Sequence, residues 1–241
     1  MTSISNCRDQ DATPVASIPP QLSDLQENHP LWHNPLLQAC RAGSLSRDDL
    51  RYVFSQYYAY SRCFTRYLAA LMMNCEDDLM RAQLSQNLWE EGGGTAPERR
   101  HANIFRNFLI QGLELDVDAI EFEPASLEFS RAYLRASNSD DLAFSAAFLS
   151  MGTEGIVPRL YSDFIVGLRM AGVPEQHLEF FHIHIAGDDE HAETLKQILL
   201  SLSAEPDFAN RARRGLAHAL DLRAGFFTYL QRSLAQKREV A

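Results

Sequence analysis

An all-α chain of seven or eight helices in one domain is expected here, on three observations. Apolar and aromatic side chains recur at helical spacing through most of the 241 residues. Clusters of glycine, proline, serine and asparagine cut the chain into stretches of helical length. Only Leu113 to Phe122 has a strand-like flavour, and it is short and acidic. There is no internal repeat and no low-complexity block.

Taken in order, Met1 to about Pro20 is polar and closes on Pro19-Pro20, so residues 1–20 read as a mobile tail and 21–241 as one helical domain. A helix is expected near 31–42. A long one follows over roughly 46–73, with Leu50, Val53, Phe54, Tyr57, Tyr58, Tyr60, Phe64, Tyr67, Leu68 and Leu71 at helical spacing. Ser46, with Asp48 and Asp49 behind it, makes its N-terminus. Further helices are expected near 76–90, 96–112, 125–136, 140–170, 175–201 and 206–235. Between them fall Gly92-Gly93-Gly94, Ser137-Asn138-Ser139, Gly172-Val173-Pro174 and Glu205-Pro206.

Composition excludes several classes. A formal charge of −10 argues against a nucleic-acid backbone as partner, though not against small anionic substrates. The longest uncharged apolar stretch, Leu142 to Thr153, is too short for the ~20 residues that span a bilayer. Cys7, Cys40, Cys63 and Cys75 show no CxxC spacing, and the N-terminus lacks the layout of a secretory signal. A cytoplasmic protein with reduced thiols is the expectation.

The most informative run is His184-Ile185-Ala186-Gly187-Asp188-Asp189-Glu190-His191. On one continuous helix, positions i, i+4 and i+7 fall within roughly 40° of each other, so His184, Asp188 and His191 would share a stripe. Two imidazoles and a carboxylate suit Fe(II), Mn(II) or Zn(II) better than calcium. Such a stripe is half of a carboxylate-bridged dinuclear site, and two places could supply the rest. Glu154 is a charge inside an apolar helix, costly to bury unless a metal or cation pairs with it. Pro158 removes the N–H that would bond the Glu154 carbonyl, so a distorted turn is expected there.

The second place is Asn87 to His101, where His101 begins an apolar face continued by Ile104, Phe105 and Phe108. Its carboxylate partner could be Glu98, three residues earlier, or Glu91, before the glycines. Thr95-Ala96-Pro97-Glu98 has the form of a capping box, which gives Glu98 another role and favours Glu91, with Glu90 next.

Together, Glu91 and His101 around the Gly-rich turn, Glu154, and the HxxxDxxH run resemble the haem-oxygenase-like diiron oxidases and oxygenases, the iron-containing redox enzymes. The aromatic stretch Tyr52 to Phe64 is similar to that family's early helix, and the resemblance covers about 30 to 200. It implies a haem-oxygenase-like (thiaminase II-like) bundle without haem, holding two Fe(II)/Fe(III) ions per chain with O2 as co-substrate. Glu91 and His101 would mainly hold one iron and His184 and His191 the other, with Glu154 and Asp188 bridging or completing the shells. Some members carry one more carboxylate on the early helix; here that neighbourhood reads Phe64-Thr65-Arg66, which leaves six ligands and an open position.

The resemblance further implies a homodimer and a small amino-acid or carboxylic-acid substrate. Its oxidation would be N-oxygenation, desaturation or C–C cleavage, with an external electron donor where turnover needs one. Arg159 and Tyr161, after Glu154, are candidates for holding the substrate. His182 falls about 160° from His184 on a helix and reads as a surface or packing residue. Two competing readings are a cofactor-independent enzyme like thiaminase II or pyrroloquinoline-quinone synthase, and a non-catalytic protein with a vestigial site.

Overall fold

The computed structural model describes residues 17–186 and 190–240, without the side chains of 190, 191 and 240. Its described residues form twelve α-helices joined by short 3-10 turns, with no strand. Leu113 to Phe122, the one strand-like stretch, runs through a 3-10 turn at Val117–Ala119.

The helices are α1 (Pro20–Asn28), α2 (Pro35–Arg41), α3 (Arg47–Ser61), α4 (Phe64–Met73), α5 (Asp78–Glu91), α6 (His101–Asn107), α7 (Pro124–Ser137), α8 (Leu142–Ser150), α9 (Val157–Met170), α10 (Glu179–Ile185), α11 (Glu190–Ser201) and α12 (Phe208–Val240). The excess over eight has two sources. Helix α1 lies at the start of the domain, where polar residues hide its single buried contact, Leu22. Three stretches expected to be single helices are each broken in two: α3/α4, α8/α9 and α10/α11.

The first break is at Arg62–Cys63, where bonds such as Cys63 N–H to the Tyr60 carbonyl tighten the chain to 3-10 spacing. Apolar periodicity continues on both sides, so the pattern gives no sign of it. The second is the distorted turn expected at Glu154. Thr153 donates its hydroxyl to the Phe148 carbonyl at 2.9 Å, and a 3-10 turn spans Glu154–Ile156 before α9 starts with Pro158 in its first turn. The third break matters most and is taken up below.

Caps follow the sequence well elsewhere. Ser46 closes a reciprocal capping box with Asp49 at the head of α3. Asp77 and Asp141 accept from Met80 N–H and Phe144 N–H at the heads of α5 and α8. The Thr95/Glu98 box does not form. Pro97–Arg99 is a separate 3-10 turn, Arg100 is extended, and the helix begins only at His101, leaving Thr95 and Glu98 exposed. Helix α6 then widens into a π-helical turn over Phe108–Gly112.

The core is built on α8, whose residues are buried on almost every side, against α7, α11 and the 33-residue α12. Close approach is made possible by Gly215 of α12, where a Cβ would lie 2.0 Å from the Phe144 carbonyl oxygen. Between α3, α7 and α12 sits Arg223, 1% exposed. Its guanidinium donates to the phenol oxygens of Tyr57, Tyr60 and Tyr133 at 2.9, 3.0 and 2.8 Å. The rings of Tyr60 and Tyr133 lie 5.0 and 5.5 Å from its central carbon.

Candidate metal centre

Three helix ends meet beside α3, next to Ser61, and each brings one ligand. Glu91 is the last residue of α5, His101 the first of α6, and His184 lies in the last turn of α10. One ligand atom from each lies within 4.8 Å of the others. Glu91 and His101 are buried and His184 is half-buried.

Two of the three ends are C-terminal, where unbonded carbonyls carry partial negative charge. A buried carboxylate at such an end is unfavourable unless a cation is close. The glycines explain how α5 can stop at Glu91 and still deliver His101 ten residues later. Gly93 and Gly94 take φ of 91° and 56°, and the indole of Trp89 packs where a Cβ on Gly94 would meet it at 3.2 Å.

The imidazoles are oriented by their other nitrogens. His184 Nδ1 lies 2.6 Å from the Phe180 carbonyl, so the proton belongs there and the lone pair falls on Nε2. His101 Nε2 lies 3.3 Å from the buried Ser61 hydroxyl, and its ring stacks on Phe64 and meets Phe180 and His184 edge-on. Its Nδ1 is 2.9 Å from Glu91 Oε2, yet no partner meets it with hydrogen-bond alignment. A close nitrogen–oxygen contact without that alignment is what two lone pairs sharing one cation produce. Carboxylate and imidazole donors also fit a borderline divalent ion such as Fe(II). The residues present therefore fit an iron.

The remaining ligand candidates are placed differently. Glu154 is buried, on a turn that packs against α11, and is not in the three-residue cluster found among the described residues. Asp188 and the side chain of His191 lie outside the described residues. Helix α10 ends at Ile185, and the stripe expected to join them to His184 runs through residues 187–189, outside the described residues. Glu90 borders the same cleft, and exposed Glu98 does not.

Of the substrate candidates, Tyr161 is buried with its ring 5.7 Å from that of His184, and burial pushes its phenol well above the usual range. Arg159 is turned away: it stacks on Trp32 at 4.0 Å and donates to the Glu27 carbonyl. His182 pairs with Glu175 at 2.7 Å, part-exposed.

A cleft of about 450 Å³ opens beside the three ligands. Its walls include Trp89, Gly93, Gly94, Arg99, Ile104 and Ile183. Sequence reasoning missed Trp89 and Arg99 as site residues, because both are exposed positions with no partner pattern of their own.

Residues 51–224, from α3 to the middle of α12, match the iron-containing redox enzymes. The chain belongs to that family. Within reach of this family member is the 4-aminobenzoate synthase of Chlamydia pneumoniae, 27% identical over 181 residues, which cover 74% of this chain and 79% of that one. A 4-chloro-allylglycine synthase of Streptantibioticus cattleyicolor is 22% identical over 169 residues, 67% of this chain and 62% of the relative.

Two solved structures show the same fold. A domain with a haem-oxygenase-like fold from Shewanella denitrificans superposes with a TM-score of 0.71 at 13% identity, covering 92% of this chain and 94% of that one. A TenA homologue from Pseudomonas syringae gives 0.70 at 18%, covering 88% and 92%. The haem-oxygenase-like architecture expected from the sequence is thus the one the chain has.

Proposed function

We propose that the chain is an O2-dependent non-haem diiron oxidase or oxygenase acting on a small amino-acid-like or carboxylate-bearing substrate. The observation that carries this reading is the convergence of Glu91, His101 and His184 from three helix ends, two of them C-terminal, with a buried His101 nitrogen 2.9 Å from the carboxylate without hydrogen-bond alignment. These three residues would hold one iron. Glu154, Asp188 and His191 would complete the second position, and Tyr161 would pack beside His184. Family membership supports iron, and the relatives are named for an aminobenzoate and an allylglycine, both small molecules with an amine and a carboxylate.

The iron pair, when bound, supplies electrons to O2 and leaves coordination positions open. The protein's own part is orientation and exclusion. Phe180 fixes the His184 tautomer through its carbonyl, Ser61 holds His101, and Phe64, Phe105 and Phe180 keep bulk water from the inner side of the ligands. N-oxygenation, desaturation and oxidative C–C cleavage are all within this chemistry. A cytoplasmic setting, a homodimer and an external electron donor belong to the same proposal; among the described residues no helix is long and apolar enough to cross a membrane.

The test is iron stoichiometry after anaerobic Fe(II) addition to the metal-free protein. Two irons per chain are expected, falling in Glu91→Ala and unchanged in Glu98→Ala. No bound iron, with activity surviving chelation, would turn the reading to a cofactor-independent enzyme of the kind the TenA-like fold also houses.

A further inference from the structure

The cleft beside the three ligands has a polar end and an apolar end. Its apolar end is made by Ile104, Ile183 and the indole of Trp89, the last two exposed at 40% and 53%. Among the described lining residues its arginine is Arg99, facing a wall that also carries Glu90 and Glu91. Arg99 lies in the 3-10 turn just before α6, two residues from His101.

Its guanidinium is already aimed. Nη1 donates to Glu179, the first residue of α10, at 2.5 Å, and this pair is the Arg99 hydrogen bond found among the described residues. Nη1 is therefore engaged, while Nε and Nη2 make no hydrogen bond among the described residues and keep their donors. A fork held by one carboxylate and open on its other edge is suited to take a second carboxylate with two parallel bonds.

We infer that Arg99 anchors the carboxylate of the substrate in this cleft, with the substrate's carbon chain lying over Trp89, Ile104 and Ile183 toward the metal ligands. The inference rests on the function proposed above for that site and names the residue that selects its substrate class: small amphipathic carboxylates. Arg159, the arginine nearer Glu154 in sequence, is occupied at Trp32 and has no access to the cleft.

The bridge to Glu179 gives Arg99 a structural alternative, because it ties the turn before His101 to the helix of His184. The experiment separates the two. Trp89 reports on the cleft, and the chain's other tryptophan, Trp32, is buried elsewhere. Tryptophan fluorescence of the metal-free full chain is titrated with hexanoate, 3-phenylpropionate and norleucine, and with the primary amides of the two simple acids. The carboxylates should give a saturable change that vanishes in Trp89→Phe, and the amides should bind at least about tenfold more weakly.

Arg99→Gln should weaken carboxylate binding about tenfold or more and erase the acid-over-amide preference, with Arg99→Lys recovering part of it. Glu179→Gln, which breaks the bridge but keeps the cation, should leave the preference intact. Equal loss in Glu179→Gln would make Arg99 a staple only and overturn the inference. So would acids and amides binding alike, or no saturable binding by any acid into the millimolar range. Because these titrations need no metal, their failure leaves the iron stoichiometry test untouched, and a failure of iron binding leaves the anchor standing.

Discussion

Two knots of buried polar side chains adjoin α3, and their charged members are of opposite sign. The Arg223 knot is one cation among three phenols, with no carboxylate in its hydrogen-bond set. The knot at Glu91, His101 and His184 is a carboxylate and two imidazoles, with Glu91 and His184 at helix C-termini and His101 at a helix N-terminus. In the first, each phenol oxygen accepts from a terminal guanidinium nitrogen and two rings lie close to the cation, which leaves only Nε without a hydrogen-bond partner. In the second, a carboxylate and imidazole nitrogens converge, a donor set that a divalent cation matches. Buried charge alone does not mark a site; the direction in which the donors and acceptors point does.

The sharpest way to break this contrast is to remove one member of each knot. Arg223→Leu strands three buried phenols and should cost about 3–5 kcal/mol of stability, with iron stoichiometry of the folded fraction unchanged. His184→Ala should do the reverse, costing about 1 kcal/mol or less in urea unfolding of the metal-free protein while weakening iron binding about a hundredfold or more. Equal stability losses in the two variants would mean that both knots are structural.

Glycines of α12 sharpen the comparison at smaller scale. A Cβ at Gly215 meets the Phe144 carbonyl, whereas one at Gly225 meets nothing within 4 Å. Gly215→Ala should destabilise by about 1–3 kcal/mol through a forced shift of α8 against α12. Gly225→Ala should stabilise by about 0.5–1 kcal/mol by lowering the backbone freedom of the unfolded chain. Thermal midpoints of the two single variants check both signs.

Acid should loosen α12, which is held near each end by a carboxylate. Burial pushes Asp49 up, but hydrogen bonds from Arg238 and Ser46 outweigh it and hold its carboxyl below 3.8. Asp141 is likewise pulled down against burial, by Arg211 and the Phe144 N–H. A carboxyl lowered on folding contributes stability that is complete above its unfolded value and is lost as pH falls through its folded value. The loss therefore falls below pH 3.8 for these two. Asp49→Asn should flatten the fall of the thermal midpoint in that range, and a parallel curve would assign the acid sensitivity elsewhere.

Much of this was legible in the residues. Helical periodicity, Ser46 with Asp49, and Pro158 after Glu154 gave the class, a cap and a distorted turn because each is a local effect. Of the HxxxDxxH run, His184 is placed beside Glu91 and His101, while Asp188 and the side chain of His191 lie outside the described residues. Glu91 over Glu98 was the favoured choice, but through a capping box that does not form; what separates the two in the structure is burial. Arg223 had a visible signal too, a charge at an inner position of the stripe Leu216, Ala219, Leu220, Phe226, Phe227 and Leu230. Trp89 and Arg99 had none, since their place beside the ligands depends on how the Gly93-Gly94 turn folds back.

The Arg223 knot also sets a clock on biosynthesis. Tyr57 and Tyr60 emerge 166 and 163 residues before the arginine that binds them. At a ribosomal rate of about 5–20 residues per second, those phenols wait roughly 8–30 s for their partner. Until then the aromatic face of α3 has no α12 to bury it, and the nascent chain is a client for any holdase that reads exposed tyrosine and phenylalanine.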